Sequence, residues 1–256
     1  MWRCDRCRLV FPDPMPLPLR GLEQHYGVAP DDYFQHHDIA AKLKGAAALL
    51  RRAEELIGGS GRLLDIGAGR GEMLRAARDR GWSVVGVEPS SAFAAYARKY
   101  SGAAVRQDPV DRCNFAPCSF DAVILSAVLE HLYDPDGTVR EASRVLRQGG
   151  VLFVDVPNEE GLYFRLGNLY QRMRRRDWVV NLSPTFSPFH TFGFGPCSLR
   201  LLLSKHGLEP VDWRVYGGSS SSVPAEGGAL GSLERAAADL ITTMSGLGGL
   251  GTYIET

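Results

Sequence analysis

The chain has 256 residues, room for one sizeable core with appendages, and 45% of them are hydrophobic, an ordinary share for a globular domain. Lysines plus arginines and aspartates plus glutamates number 29 each, so no global field favours nucleic acid or an acidic membrane surface, and a small-molecule partner is expected. The N-terminus lacks the apolar run of a secretion signal, no stretch of about 18 apolar residues could span a bilayer, and the five cysteines do not form an even framework, so a cytoplasmic protein with reduced thiols is expected.

Residues 1–20 carry Pro12, Pro14, Pro16 and Pro18 and read as an extended arm, because proline removes a backbone donor and is excluded from helix interiors. Residues 21–59 read as a helical cap, ending in the helix-forming run Ala46 to Leu56 closed by Gly58-Gly59, with His36 and His37 as surface or cap residues. From residue 60 short apolar runs alternate with helical stretches, the pattern of βαβ units and a parallel sheet. Strands are predicted at Arg62–Ile66, Ser83–Glu88, Asp121–Ser126 and Val151–Val156, with helices at Gly71–Arg80, Ser90–Tyr100 and Thr138–Leu146. Residues 159–195 are less regular, rich in aromatics and prolines, and read as a lid or insertion. Ser198–His206 then reads as a helix and Val211–Tyr216 as a strand. In the Gly/Ser-rich tail, Leu230–Met244 is a candidate helix and Thr252–Ile254 a candidate edge strand.

The segment Asp65-Ile66-Gly67-Ala68-Gly69-Arg70-Gly71 joins the first of these strands to the next helix, and its three alternate glycines let backbone approach a ligand closely. Glu88 lies 21 residues beyond Gly67, at the end of the second strand, where a carboxylate can accept hydrogen bonds from both hydroxyls of a ribose. A nicotinamide dinucleotide uses the same strand, loop and helix, but with G-x-G-x-x-G and a pyrophosphate on the helix N-terminus. Here the spacing is G-x-G-x-G, and Asp65 and Glu72 would flank that pyrophosphate. S-adenosylmethionine has no phosphate and brings an ammonium and a sulfonium, which Asp65 can attract, so the charges favour it.

Four segments resemble class I S-adenosylmethionine-dependent methyltransferases of the ubiquinone-biosynthesis and antibiotic-sugar type: Leu63 to Leu74, Val84 to Ser90, Phe120 to Pro135, and Val145 to Asn158, in that family's order and spacing. His190 to Glu209 is similar to the segment that precedes the sixth strand in this group. The resemblance implies an α/β fold, a Rossmann-like seven-stranded, mostly parallel sheet flanked by helices, its last strand antiparallel, with a methyltransferase domain over 60–256 and the lid after the fifth strand. It also implies a cofactor held by Asp65, Gly67, Gly69, Gly71 and Glu88, with Asp108 at the adenine and backbone at Ser126 lining the site. A non-catalytic protein descended from the family would be the alternative, and the intact Asp65, glycines and Glu88 argue against it.

Methyl transfer is an in-line displacement, so the protein mainly holds and aligns the acceptor, and a base is needed only for an acceptor that arrives protonated. In the family His131 points toward the cleft and is the first candidate base, with His190 the second; either could instead be structural. Cys4 and Cys7 suit two thiolates on one ion, but a structural zinc site needs four ligands and no second such pair exists, so no metal site is expected. Cys4 to Pro14 nonetheless resembles the second half of a zinc ribbon carried by some relatives. The arginine run at 172–176 reads as a solvated helix face that could also meet an anionic acceptor.

Overall fold

The structure, a computed structural model, describes residues 1–15, 39–176, 178–184, 189–217 and 253–256. His36, His37 and the candidate helix Leu230–Met244 lie outside them. Nine strands are described: β1 (Trp2–Arg3), β2 (Val10–Phe11), β3 (Arg62–Ile66), β4 (Ser83–Val87), β5 (Ala104–Arg106), β6 (Phe120–Ser126), β7 (Leu146–Pro157), β8 (Arg214–Tyr216) and β9 (Tyr253–Glu255). The described helices are α1 (Ile39–Ile57), α2 (Glu72–Asp79), α3 (Ser91–Ser101), α4 (Pro135–Val145), α5 (Leu162–Met173) and α6 (Pro196–Lys205). The sheet has seven strands, as the resemblance implies, in the order β5-β4-β3-β6-β7-β9-β8, while β1 and β2 pair as a separate hairpin.

The chain divides into two compact units, one of residues 18–128 and 134–154, the other of residues 1–17, 129–133 and 155–256; β7 runs from the first into the second. In the first unit β3 is parallel to β4 and β6, with Leu64 opposite Val85 on one side and Val123 on the other. Leu63, Leu64, Asp65 and Ile66 are all buried, so this strand is covered on both faces, as a continuous apolar run in a parallel sheet requires. α1 buries Ala46, Leu49, Leu50 and Ala53, the i, i+3, i+4, i+7 stripe of a helix, in one cluster with Leu63, Ala77, Trp82 and Ile124. A second cluster joins Ala68 and Leu74 to Ala94, Ala97 and Val105.

Capping explains where the helices begin. Ser90 Oγ accepts the Phe93 amide at 3.4 Å and opens α3, and Gly102 closes it at φ +66°. α4 starts three residues earlier than predicted because Asp134 accepts the Gly137 amide at 2.9 Å and Pro135 occupies the first turn.

In the second unit β9 pairs antiparallel with β7 (Val156 opposite Ile254) and with β8 (Val215 opposite Ile254). It is therefore an interior strand, not the edge strand its short apolar run suggested; β8 takes the edge. Ile254 is fully buried between them. Val10 is also buried, and Val10 and Gly193 exchange backbone hydrogen bonds of 3.0 and 2.9 Å. No described helix is long and apolar enough to cross a membrane.

Candidate functional site

The turn from β3 to α2 is built by backbone that only glycine adopts cheaply. Gly67, Gly69 and Gly71 have φ of +77°, +51° and +89°, and a Cβ on Gly67 would lie 2.5 Å from a methyl of Val128. The loop is tied to β4 through the Gly67 and Ala68 amides, which donate to the Val87 carbonyl at 2.8 and 3.0 Å. Glu88, the first residue beyond β4, secures it again: one carboxylate oxygen accepts the Gly69 amide at 3.0 Å and the other accepts the Ser90 amide at 3.0 Å. Glu88 thus faces the glycine loop.

Three carboxylates converge here with little water. Asp65, Glu72 and Glu88 are all buried. Arg70, also buried, donates to Glu72 at 2.8 Å and neutralises it. Asp65 receives no such help: burial first, and then the charges of Glu72 and Glu88, push its carboxyl up to about 7. Burial also raises Glu88, offset in part by the Ser90 and Gly69 amides. With Arg70 on Glu72 and Lys42 near that pair, Asp65 and Glu88 are left without a cation bonded to them among the described residues, which suits a cationic ligand.

The remaining expected cofactor residues belong to the same unit. Asp108 is exposed in the loop after β5, with its carbonyl accepting the Cys113 thiol at 3.5 Å. Ser126 is the exposed last residue of β6. Ala127 follows with φ +52°, a left-handed conformation uncommon for a residue with a Cβ.

The two candidate histidines meet in the second unit, their ring centroids 4.8 Å apart in an edge-on arrangement. His131 ends a 3-10 turn, Leu129–His131, and its Nε2 lies 3.9 Å from Glu130. Glu130 is buried, its carboxyl pushed up to about 8 chiefly by loss of water, and its Oε2 has no hydrogen-bond partner.

The backbone carbonyl of Glu130 accepts the Thr191 and Phe192 amides at 2.7 and 3.2 Å, which brings the His190 segment alongside. His190 Nδ1 lies 2.8 Å from the Asn181 carbonyl and 3.2 Å from its side-chain oxygen. Two acceptors at Nδ1 assign the proton to that nitrogen, so in the neutral ring Nε2 carries the basic lone pair. Burial holds His190 below the usual histidine range, against the Asn181 carbonyl, which raises it.

Glu130, Arg70 and Asn181 were not singled out in the sequence. A Glu in a loop and an Asn among aromatics carry no pattern that announces burial, and only the Glu-His pairing next to a buried strand hinted at the first. Cys4 and Cys7 are brought together by the β1–β2 hairpin, where the Cys7 and Arg6 amides lower the Cys4 thiol. The described residues with three metal-ligating groups close together are Glu130, His131 and His190, and neither cysteine is among them.

A family model described as "Methyltransferase domain" matches residues 64–154. A protein of Mycolicibacterium smegmatis called "Probable S-adenosylmethionine-dependent methyltransferase" is 30% identical over 201 residues, covering 78% of this chain and 68% of that protein. A ubiquinone biosynthesis O-methyltransferase of Pseudomonas aeruginosa is 35% identical over 103 residues, 38% of this chain and 44% of the relative, so the match spans less than half of that protein. Among solved structures, an S-adenosylmethionine-dependent methyltransferase from Archaeoglobus fulgidus superposes with a TM-score of 0.56 at 18% identity, covering 83% of this chain and 92% of that one.

Proposed function

The chain belongs to the S-adenosylmethionine-dependent methyltransferases, and from that premise we propose which of its residues hold the cofactor and which take the acceptor's proton. The observation that carries the cofactor assignment is the buried Asp65, raised to about 7 beside Glu72 and Glu88 under three glycines of positive φ. A ligand bringing an ammonium and a sulfonium supplies the missing charge. When bound, the cofactor provides a methyl group on a cationic sulfur.

Around it Asp65 would attract the cation, Gly67, Gly69 and Gly71 would offer close backbone, and Glu88 would accept from the ribose with lone pairs left over from its two amide bonds. Asp108 would meet the adenine and backbone at Ser126 would line the floor. His190 would take a proton at Nε2 from a hydroxyl acceptor, its ring held by Asn181, with His131 packed against it. The domain we assign to this chemistry is residues 60–256, with 159–195 as an acceptor-side insertion; of the helical cap expected at 21–59 and the arm expected at 1–20, residues 16–38 lie outside the described residues.

The acceptor we propose is a small molecule, in keeping with the balanced charge of the chain. The exposed arginines at 172–176 would attract an anionic acceptor by proximity and not through a built pocket. A thermal-shift titration tests the cofactor site: S-adenosylhomocysteine should raise the melting temperature and NAD should not. Stabilisation by NAD alone would overturn the assignment. Mass spectrometry of the purified protein should find S-adenosylmethionine or its demethylated product.

A further inference from the structure

The helix α5 presents its apolar side outward. Its inner face is fixed by three residues: Phe164 is buried, Gly167 sits where a Cβ would come within 2.9 Å of Val180, and Asn168 donates to Glu159 at 3.1 Å while accepting the Val180 amide at 2.8 Å. The opposite face carries Leu166, Leu169, Tyr170 and Met173, spaced i, i+3, i+4, i+7, and all four are exposed, Leu169 by 53% and Met173 by 70%. A water-facing helix ordinarily shows the reverse pattern.

Charge flanks this stripe. Arg165 and Arg172 lie to one side of it at 100° per residue and Arg174 to the other; Arg175 and Arg176 follow, all five exposed, and no acid occurs from Leu162 to Arg176. That is five positive charges before Asp177, in a chain whose net charge is zero. Arg174 donates to the Tyr170 hydroxyl at 2.9 Å and stacks over its ring, so one arginine lies along the apolar surface with its head at the margin. Trp178, exposed, comes just beyond.

We propose that α5 and the arginines that follow it form a docking surface for an anionic lipid bilayer, with the helix lying in the plane of the headgroups. Leu166, Leu169 and Met173 enter the acyl boundary, Tyr170 sits at the level of the headgroups, and the arginines pair with lipid phosphates. A second copy of the chain fits poorly, because a two-fold contact would set these arginines against their own copies over a stripe of only four apolar side chains. A phosphate polymer would use the arginines and leave the apolar stripe in water.

The test is vesicle co-sedimentation of the full chain. Wild type should bind vesicles of equal parts phosphatidylglycerol and phosphatidylcholine, release them as salt is raised, and ignore phosphatidylcholine alone. Replacing Arg174, Arg175 and Arg176 by Gln should lower partitioning on the order of 100-fold, since each basic residue near an anionic surface contributes about fivefold. Leu169→Asn/Met173→Asn should also abolish binding while leaving far-ultraviolet circular dichroism and S-adenosylhomocysteine binding unchanged. Wild type that ignores anionic vesicles, or variants that bind as wild type does, would overturn the proposal. So would a wild-type dimer that the Leu169→Asn/Met173→Asn substitution dissolves without any vesicle binding.

Discussion

A carboxyl raised to about 7 in the ligand-free protein is a group whose burial costs stability once it ionises, and Asp65 is in that position. Asp65→Asn removes the penalty, so the ligand-free variant should melt higher than wild type at pH 8. It also removes the attraction for the cofactor's cationic groups, and S-adenosylmethionine affinity measured by calorimetry should fall about 10- to 100-fold, the range for hydrogen bonds to a charged group. Unchanged affinity would take Asp65 out of the site. His190 makes a separate prediction. Because its ring is held below the usual histidine range, the acid limb of the pH–rate profile should have its midpoint below about 6.5. His190→Ala should lose about 10²- to 10⁴-fold in turnover and flatten that limb, with S-adenosylhomocysteine binding retained. A variant that keeps the wild-type profile would move the base to His131 or to no residue. Asp65, Glu88 and the glycines were legible in the sequence because motif spacing marks them. Glu130 and Asn181 were not, since what distinguishes them is the loss of water around them.

Strands β3, β4, β6 and β7 announced themselves as short apolar runs, and the largest difference is that β7 starts five residues earlier than predicted, taking in Gly149-Gly150, which reads in the sequence as the end of a helix. β5, three residues long with one buried side chain, carries too little periodicity to be read. α5 was missed for a physical reason: its apolar stripe repeats at helical spacing but faces outward, and the residues that seat it are one phenylalanine, a glycine and an asparagine. Asn168 is the one to change. Asn168→Ala deprives buried Glu159 of a donor and the Val180 amide of its acceptor, and should cost about 1–3 kcal/mol in urea denaturation. A loss under a few tenths of a kcal/mol would mean that water replaces Asn168 and that the helix is seated otherwise.

The buried acids set how the protein as a body responds to pH. Asp65, Glu88, Glu130 and Glu159 are all raised by burial, so the native state holds their protons more tightly than the unfolded chain does. Stability should then fall as pH climbs from about 4 toward about 8, by an amount on the order of a few kcal/mol. His190, lowered, opposes this by losing stability as pH drops through the ordinary histidine value. At the acid end Asp121 and Glu54 act in the opposite sense. The Arg62 amide and Arg147 hold Asp121 down, and Arg80 holds Glu54 down, so their contribution is lost as they protonate. Ligand-free protein should therefore melt highest in mild acid, and saturating S-adenosylmethionine should narrow the difference between pH 5 and pH 8 by meeting the charge on Asp65. A melting temperature that rises steadily through neutrality would contradict the burial of these acids.

The placement of β9 also orders events in time. β3, β4, β5 and β6 pair among themselves, so the glycine loop can form as soon as those strands have been synthesised. Among the described residues β8 is made before β9 and is joined to the sheet through it, and the outer edge of β7 at Val156 is paired by residues 253–255. A nascent or clipped chain lacking those residues would keep its cofactor loop while exposing an unpaired strand edge, the kind of feature that chaperones and proteases recognise.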